Sequence, residues 1–313
     1  MIIKKALNIH KVISHLKRIL YKIRSKKISK ILKKILPKDK IQIYDIGAGL
    51  RYLPTLLKFD RISQINLIDP NENLEISYQN LKRLFSEKRM IKKFKIGLSD
   101  KNKILNYYPA RVSSGSSFID LKKKLKIDSD YFGNEKKILK KVYDFQTFKK
   151  KFRLKNPDIV KIDVEGLEIR ILKSILKKDN PLIIEVELNF DNSIIGDTFS
   201  KANKLIKTKN YKLITIYPTY EDSNKNGILK GDYHNPISRN SLNQCDCYYL
   251  LKKKEYSVKD IIMMVGYGFI DEANKNVSMV SKKLTDDKFN ELKRLIKNLM
   301  WLWKELIKYY IYY

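Results

Sequence analysis

One segment constrains the fold of this chain more than any other, and it runs from Asp158 to Ile171 with the sequence D-I-V-K-I-D-V-E-G-L-E-I-R-I. Its first part, Ile159 to Ile162, is a short and mostly apolar run that is typical of an interior strand of a parallel sheet. Gly166 then permits a sharp turn, and Glu168 favours the start of a helix. The segment therefore predicts a strand, a tight loop and a helix, which together form the repeating unit of an α/β fold.

Two acids lie in the predicted loop. Asp163 and Glu165 come directly after the strand. Because ligands of open α/β sheets bind at the carboxyl ends of the strands, we expect both carboxylates to face a ligand-binding crevice rather than bulk water. The alternative is an acidic loop without chemistry, in which Glu168 only stabilises the N-terminus of the helix.

A second strand ends in a glycine-containing loop, within the segment I-Q-I-Y-D-I-G-A-G-L from Ile41 to Leu50. Gly47 and Gly49 would bring bare backbone N–H groups against the carboxylate and sugar of a ligand, and Asp45 adds an acceptor beside them. Asp69 ends the next predicted strand, at about the distance where nucleotide-binding folds place the acid that binds the ribose hydroxyls. These residues predict a nucleotide-type cofactor site. The alternatives are an ordinary tight turn at the glycines and an acid that caps a turn.

Several segments of the chain resemble one known family. The block K-I-D-V-E-G-L-E from Lys161 to Glu168 resembles the signature of FkbM-type S-adenosylmethionine-dependent methyltransferases. The D-P-N-E-N that begins at Asp69 resembles the acid-Pro-Asn segment of that family. The third predicted strand leads into G-L-S-D, from Gly97 to Asp100, which resembles the segment beside the adenine. The resemblance implies S-adenosylmethionine as the cofactor, and the residues predicted to bind it are Asp45, Gly47, Gly49, Asp69, Ser99 and Asp100.

The resemblance also implies an acceptor site and a reaction. A serine-rich loop resembles one that the family places over the active site, and its candidate substrate-binding residues are Ser114, Ser116 and Ser117; a flexible linker is the alternative. The implied reaction is methylation of a hydroxyl group on a glycan or a secondary metabolite. Asp163 and Glu165 are candidate catalytic bases, and His234 is a further candidate because its ordinary pKa suits neutral pH.

The first glycine loop departs from the family pattern, which usually reads Asp-x-Gly-Ala-Asn-x-Gly. In this chain Gly49 takes the position of the Asn and Arg51 that of the last Gly. The generic Asp-x-Gly-x-Gly remains, so we expect cofactor binding to be retained. Two other functions stay open. One is a non-catalytic scaffold in a membrane-associated glycan assembly complex, and the other is an NAD-dependent oxidoreductase, which the missing third glycine disfavours.

Seven predicted strands with helices between them indicate a Rossmann-like, doubly wound sheet of the class I methyltransferase type, with an antiparallel insertion at one edge. We place the methyltransferase domain at residues 41–252. Residues 1–40 form a predicted basic amphipathic extension, and residues 253–313 a predicted helical C-terminal extension. The apolar faces of both extensions are expected to pack on the core or on a partner, with peripheral contact to an anionic membrane as the alternative.

Composition narrows the set of partners. The chain has 66 Lys and Arg against 34 Asp and Glu, a formal net charge of +32, but the lysines are spread along nearly every segment. We therefore predict no nucleic-acid partner, because a nucleic-acid site is typically a basic stripe on one face. Cys245 and Cys247 are too few for a disulfide framework, and the three histidines do not lie near them at metal-ligand spacing. A cytoplasmic protein without a metal is expected.

Overall fold

The structure is a computed structural model of the chain, and it describes residues 25–36, 40–49, 54–86, 90–109, 116–120, 123, 137–190, 198–221 and 241–311. For residues 54–55, 218–221, 241–244 and 302–311 only the backbone is described.

A seven-stranded sheet forms the centre of the molecule. Its strands are β1 (Ile41–Ile46), β2 (Ser63–Ile68), β3 (Ile91–Phe94), β7 (Ile159–Ile162), β8 (Ile183–Asn189), β9 (Tyr211–Glu221) and β10 (Ser241–Leu251). Their order across the sheet is β3-β2-β1-β7-β8-β10-β9. The five strands from β3 to β8 are parallel, and β10 lies antiparallel to both β8 and β9. The predicted seven-stranded doubly wound fold, with an antiparallel insertion near one edge, is confirmed.

Helices cover both faces of this sheet. They are α1 (25–35), α2 (Leu74–Leu84), α3 (Phe145–Lys151), α4 (Glu168–Ile175), α5 (Phe199–Thr208), α6 (Val258–Tyr267), α7 (Ile270–Asn276) and α8 (Asp286–Ile311), with 3-10 helices at Pro54–Phe59 and Val277–Lys283. Side chains alternate between the two faces along each strand. On β1, Ile41 and Ile43 join a core with α1, α2, α6, α7 and α8, whereas Tyr44 and Ile46 join a second core with α3, α4 and α5.

A smaller sheet stands beside the main one and consists of β4 (Gly97–Ser99), β6 (Ile138–Asp144) and β5 (Lys103–Tyr107), in that order. The sequence predicted one continuous third strand leading into Gly97. Instead, β3 ends at Phe94, and the Ile96 N–H donates to the Phe94 carbonyl at 2.9 Å. This turn redirects the chain, so Ser99 and Asp100 follow a strand of the smaller sheet.

The two terminal extensions contact the core directly. Leu32 of α1 and Leu292 and Ile296 of α8 are buried in the same apolar cluster as Ile43 of the central strand β1. Within the described residues, no helix combines the length and the apolar character that a membrane crossing requires. The predicted domain boundaries at residues 40 and 252, and the alternative of a membrane contact, stay predictions.

Candidate active site

The glycine loop after β1 lies directly against the loop after β7. Gly47 has a φ of +83°, and a Cβ at this position would lie 1.6 Å from the carbonyl oxygen of Asp163. The Gly47 N–H donates to the Ile68 carbonyl at 2.8 Å, and the Asp163 N–H donates to the Ile46 carbonyl at 2.9 Å. Only glycine permits this approach, which joins the predicted cofactor loop to the predicted catalytic loop.

Asp69 lies at the carboxyl end of β2 and holds the glycine loop in place. Its Oδ2 accepts a hydrogen bond from the Gly49 N–H at 2.8 Å, and its Oδ1 accepts one from the Asn71 N–H at 2.7 Å. The residue is buried, and burial raises the pKa of the carboxyl to about 6 despite these two hydrogen bonds. Each carboxylate oxygen keeps a second lone pair, so Asp69 can still accept hydrogen bonds from two ligand hydroxyls.

Asp45 is a buried acid whose two carboxyl oxygens have no hydrogen-bond partner in the described part of the structure. Its nearest cation is the Lys161 ammonium, whose Nζ lies 3.9 Å from Asp45 Oδ1. Burial raises the pKa of Asp45, although the charge of Lys161 opposes this. An unsatisfied buried acceptor is costly, so a ligand that supplies donors or positive charge at this position fits the site.

Lys161 connects Asp45 to the acids of the β7 loop. Its Nζ lies 2.8 Å from Asp163 Oδ2, and only 15% of its side chain is exposed. Burial alone would lower the pKa of Lys161, but Asp163, Asp45 and Glu185 together hold it well above its usual value. Lys161 therefore remains a cation and keeps Asp163 ionised.

Three carboxyl groups converge beside that ion pair. Ligand oxygens of Asp163, Glu165 and Glu187 all lie within 4.8 Å of one another, close enough to be ligands of one metal ion. Burial works to raise the pKa of Asp163, but Lys161 and a hydrogen bond with Glu187 leave it below its usual value. The Asp163 carboxylate and burial raise the pKa of Glu187 well above its usual value, which favours a hydrogen bond from the Glu187 carboxyl group to the Asp163 carboxylate.

Glu165 is held in an uncommon backbone conformation, with a φ of +56°. Its carbonyl accepts a hydrogen bond from the Ser117 Oγ at 2.7 Å. Burial, with Asp163 and Glu168 nearby, raises the pKa of the Glu165 carboxyl well above its usual value. Glu168 acts on the backbone, since its carboxylate accepts from the Gly166 N–H at 2.9 Å and from the Val164 N–H at 3.2 Å.

The serine-rich segment reaches both halves of the site. Ser116 Oγ accepts from the Asn71 side-chain amide at 3.0 Å, beside Asp69, and Ser117 contacts Glu165 as described above. Ser99 and Asp100 make local hydrogen bonds: the Ser99 Oγ donates to Asp100 Oδ1 at 2.9 Å, which also lies 3.3 Å from Lys103 Nζ. The candidates Ser114 and His234, together with Arg51, lie outside the described residues.

Sequence reasoning assigned no role to four polar residues of the site, which are Glu185, Glu187, Asp246 and Tyr267. Tyr267, at the end of α6, donates its hydroxyl proton to Glu185 Oε2. Burial raises the pKa of Glu185 to about 7, with Lys161 and the Tyr267 hydrogen bond opposing it. The one available signal was the spacing of Glu185 and Glu187, two apart in an apolar strand, which places both side chains on one face.

Both the sequence and the structure of this chain are similar to those of known proteins. The methyltransferase FkbM domain family matches residues 45–213, more than half of the chain. Among solved structures, the chain is similar to the methyltransferase FkbM from Methylobacillus flagellatus KT, at 13% identity and a TM-score of 0.40, over 69% of this chain and 45% of that one. It is also similar to precorrin-6y C5,15-methyltransferase from Geobacter metallireducens GS-15, at 12% identity and a TM-score of 0.36, over 72% of this chain and 86% of that one.

A third similar structure is TrmK from M. capricolum, solved in complex with S-adenosyl-homocysteine, at 13% identity and a TM-score of 0.34, over 88% of this chain and 95% of that one. No curated protein sequence matches the chain.

Proposed function

This chain belongs to the methyltransferase FkbM family, and from that premise we propose that it transfers a methyl group from S-adenosylmethionine to a hydroxyl group of a glycan or a secondary metabolite. One observation carries the proposal: Gly47 brings the glycine loop into contact with the loop of Asp163 and Glu165. A cofactor held by the first loop would therefore present its reactive end to the second.

The residues of the glycine loop fit the two polar ends of S-adenosylmethionine. Asp69, with free lone pairs on both oxygens, would accept hydrogen bonds from the two ribose hydroxyls. Asp45, buried and without a hydrogen-bond partner among the described residues, would accept from the positively charged ammonium of the methionine end. Bare backbone at Gly49 leaves room for the ligand, because a Cβ there would meet only the Gly47 carbonyl oxygen, at 3.8 Å.

When bound, S-adenosylmethionine supplies an activated methyl group on a positively charged sulfur. In the proposed reaction the acceptor oxygen forms a bond to the methyl carbon while the carbon–sulfur bond breaks and its electron pair stays on sulfur. The hydroxyl proton passes to a base of the protein. Alignment of the acceptor with the methyl group supplies most of the rate enhancement, because such positioning can remove several kcal/mol of barrier.

We assign the base to Glu165 in preference to Asp163. A base needs a carboxylate oxygen that is free to receive the proton, whereas Asp163 is engaged by Lys161 at 2.8 Å and by a hydrogen bond with Glu187. The raised pKa of Glu165 means that its carboxylate, once it has lost its own proton, is a stronger base than an ordinary one. His234 stays a second candidate from the sequence.

Calorimetric titration with S-adenosylmethionine and S-adenosylhomocysteine tests the cofactor site. We expect binding by the wild-type protein and its loss in Asp69→Ala. Glu75→Ala is the matched control, since Glu75 is an exposed acid of the neighbouring helix α2 paired with Lys93, and it should bind as the wild type does. If the intact protein binds neither compound, methyltransferase activity is ruled out. A non-catalytic scaffold in a membrane-associated glycan assembly complex then becomes the better explanation.

The assignment of the base needs a separate measurement. Glu165→Gln should keep the affinity for S-adenosylhomocysteine and lower the rate of methyl transfer by about a hundredfold or more, the usual contribution of a general base. Equal transfer rates in Glu165→Gln and the wild type would exclude Glu165 as the base.

A further inference from the structure

Strand register places polar side chains in two rows across one face of the sheet. Directly paired residues of neighbouring strands point to the same face. Tyr217 of β9 pairs with Asp246 of β10, and Asp246 pairs with Glu187 of β8; we call this set the outer row. One step further into the sheet, the inner row consists of Tyr248, Glu185, Lys161 and Asp45.

The C-terminal helices cover the inner row. Tyr267 of α6 donates to Glu185, and its ring lies 6.1 Å from the ring of Tyr248 between centroids. Phe269, which precedes α7, lies 6.4 Å from Tyr248 and 5.7 Å from Tyr267. The part of the inner row formed by Glu185 and Tyr248 is therefore closed to a large ligand.

In the described part of the structure, the outer row is partly exposed to solvent. Tyr217 is 52% exposed, and Asp246 and Glu187 are both half-buried. The ring of Tyr217 packs edge-on against Tyr248, at 5.4 Å and 88°, which fixes its orientation. At its inner end the row reaches the catalytic loop, because carboxylate oxygens of Glu187 and Asp163 lie within 4.8 Å of each other. An accessible strip thus leads from an exposed aromatic ring to the site of methyl transfer.

We propose that the outer row, Tyr217, Asp246 and Glu187, is the acceptor subsite, and that it takes a neutral polyhydroxylated ring, the sugar residue of a glycan or glycoside. This inference rests on the proposed function, since it names the acceptor of the same methyl transfer. Three strands at about 4.8 Å spacing give the row a span of about 10 Å, enough for a ring to lie between the tyrosine and the acids.

The chemistry of the three side chains matches a sugar. A tyrosine ring offers an apolar face for the C–H groups of a pyranose and a hydroxyl at its rim. A carboxyl group can form hydrogen bonds with the hydroxyl groups of a sugar, which act both as donors and as acceptors.

Saturation-transfer NMR on protein saturated with S-adenosylhomocysteine tests the subsite. The probes are the methyl pyranosides of glucose, galactose and mannose in large excess, with spermidine as the cationic probe. We expect transfer to sugar ring protons, and about five- to tenfold weaker sugar binding in Tyr217→Ala and in Asp246→Asn, as loss of an aromatic contact or a hydrogen bond implies. Trp301→Ala is the control, because Trp301 is an exposed aromatic residue of α8 outside the row.

The outcomes separate this inference from the proposed function. S-adenosylhomocysteine binding without transfer to any pyranoside overturns the sugar subsite and leaves the methyltransferase proposal intact. Saturation transfer to spermidine alone overturns the sugar subsite in favour of a site for a cationic acceptor. If neither Tyr217→Ala nor Asp246→Asn weakens the saturation transfer to the sugar, the sugar binds elsewhere. That result overturns the assignment to the outer row. Failure to bind S-adenosylhomocysteine overturns the proposed function itself. Unchanged S-adenosylhomocysteine affinity in both variants shows that they are folded.

Discussion

Gly47 combines two constraints at one residue, a left-handed backbone with a φ of +83° and a contact at which a Cβ would lie 1.6 Å from the Asp163 carbonyl oxygen. Gly268, at the end of α6, shares the first constraint alone: its φ is +97°, and a Cβ would meet nothing within 4 Å. Gly268→Ala should therefore cost about 1–2 kcal/mol of unfolding free energy, the usual penalty of the left-handed region.

We predict that Gly47→Ala costs clearly more than Gly268→Ala and also abolishes binding of S-adenosylhomocysteine, because the glycine loop must separate from the Asp163 loop. Urea unfolding of both variants, with calorimetric titration, measures the difference. Equal losses of stability, with cofactor binding intact in Gly47→Ala, would show that the two loops do not need this contact.

Asp69 gives the affinity for the cofactor a pH dependence. Its pKa of about 6 is raised by burial, and the ribose hydroxyls need the ionised form as an acceptor. Affinity for S-adenosylhomocysteine should therefore be constant above about pH 7 and fall as the pH drops through 6, by about tenfold for each unit below the pKa. Calorimetry from pH 5 to 8 tests this, with Asp69→Asn as the variant that should bind weakly and lose the dependence. A flat profile in the wild type would contradict the role of Asp69.

The raised pKa of Asp69 also makes the stability of the protein depend on pH, in the direction opposite to that of the cofactor affinity. Because the folded pKa of Asp69 lies above the usual value of an aspartate, folding favours the protonated form, and the stability from this group is fully present below about pH 4. It is lost as the pH rises through about 6. The cofactor therefore binds best above about pH 7, where Asp69 no longer stabilises the free protein. Binding of the ligand should restore stability at that pH.

Sequence reasoning found the residues that stand at strand ends and missed those that long-range pairing assembles. Gly47, Asp69, Asp163 and Glu165 were predictable because each follows an apolar run, and the carboxyl edge of a parallel sheet collects such residues. Glu187 and Asp246 could not be placed, because their partnership depends on the antiparallel register of β10 against β8. Nothing local in either segment specifies that register.

At the scale of elements, α6 lies outside the segment that matches the family, yet it completes the candidate site. Its last residue, Tyr267, donates to the buried Glu185, whose pKa is about 7. Since a hydrogen bond to an ionised group is worth about 1.5–3 kcal/mol, Tyr267→Phe should destabilise the protein by about that amount above pH 8 and by less below pH 6, where Glu185 is protonated.

Tyr256→Phe is the matched control for that prediction. Tyr256 is also buried, but its hydroxyl donates to the neutral Leu251 carbonyl at 3.1 Å, so its loss should cost about 1 kcal/mol at either pH. Urea unfolding at pH 6 and pH 8 compares the two variants. A loss of stability in Tyr267→Phe that is the same at both pH values would mean that Glu185 does not ionise in this range.

The elements themselves were predicted well where periodicity was strong and poorly where a turn interrupts an apolar run. Strand β7 and helices α2, α5 and α8 follow directly from the spacing of apolar residues. The sequence from Ile91 to Leu98 contains apolar residues on both sides of the turn at Lys95, so one strand was expected where the chain forms two, β3 and β4, in different sheets. The backbone hydrogen bond that divides them leaves no signature in the side chains.

For the whole molecule, the core that contains the main-sheet strands extends beyond the predicted domain at residues 41–252. Ile261, Ile262 and Met264 of α6 and Leu292 and Ile296 of α8 are all fully buried, in one cluster with the strands of the main sheet. A fully buried aliphatic side chain contributes about 1.5–3 kcal/mol. Together these five contribute about 7.5–15 kcal/mol, which is comparable to the about 5–15 kcal/mol by which typical domains are stable.

We therefore predict that a fragment of residues 41–252 does not fold on its own, whereas a fragment of residues 25–300, which keeps every described core side chain, folds and binds S-adenosylhomocysteine. Proton NMR dispersion and urea unfolding distinguish the two, with the full chain as the reference for a single cooperative transition. A cooperative transition and dispersed resonances in the fragment 41–252 would show that the family-like part is an autonomous domain. In that case α6 and α8 would be attachments to a finished core, and Tyr267 would be dispensable for the fold.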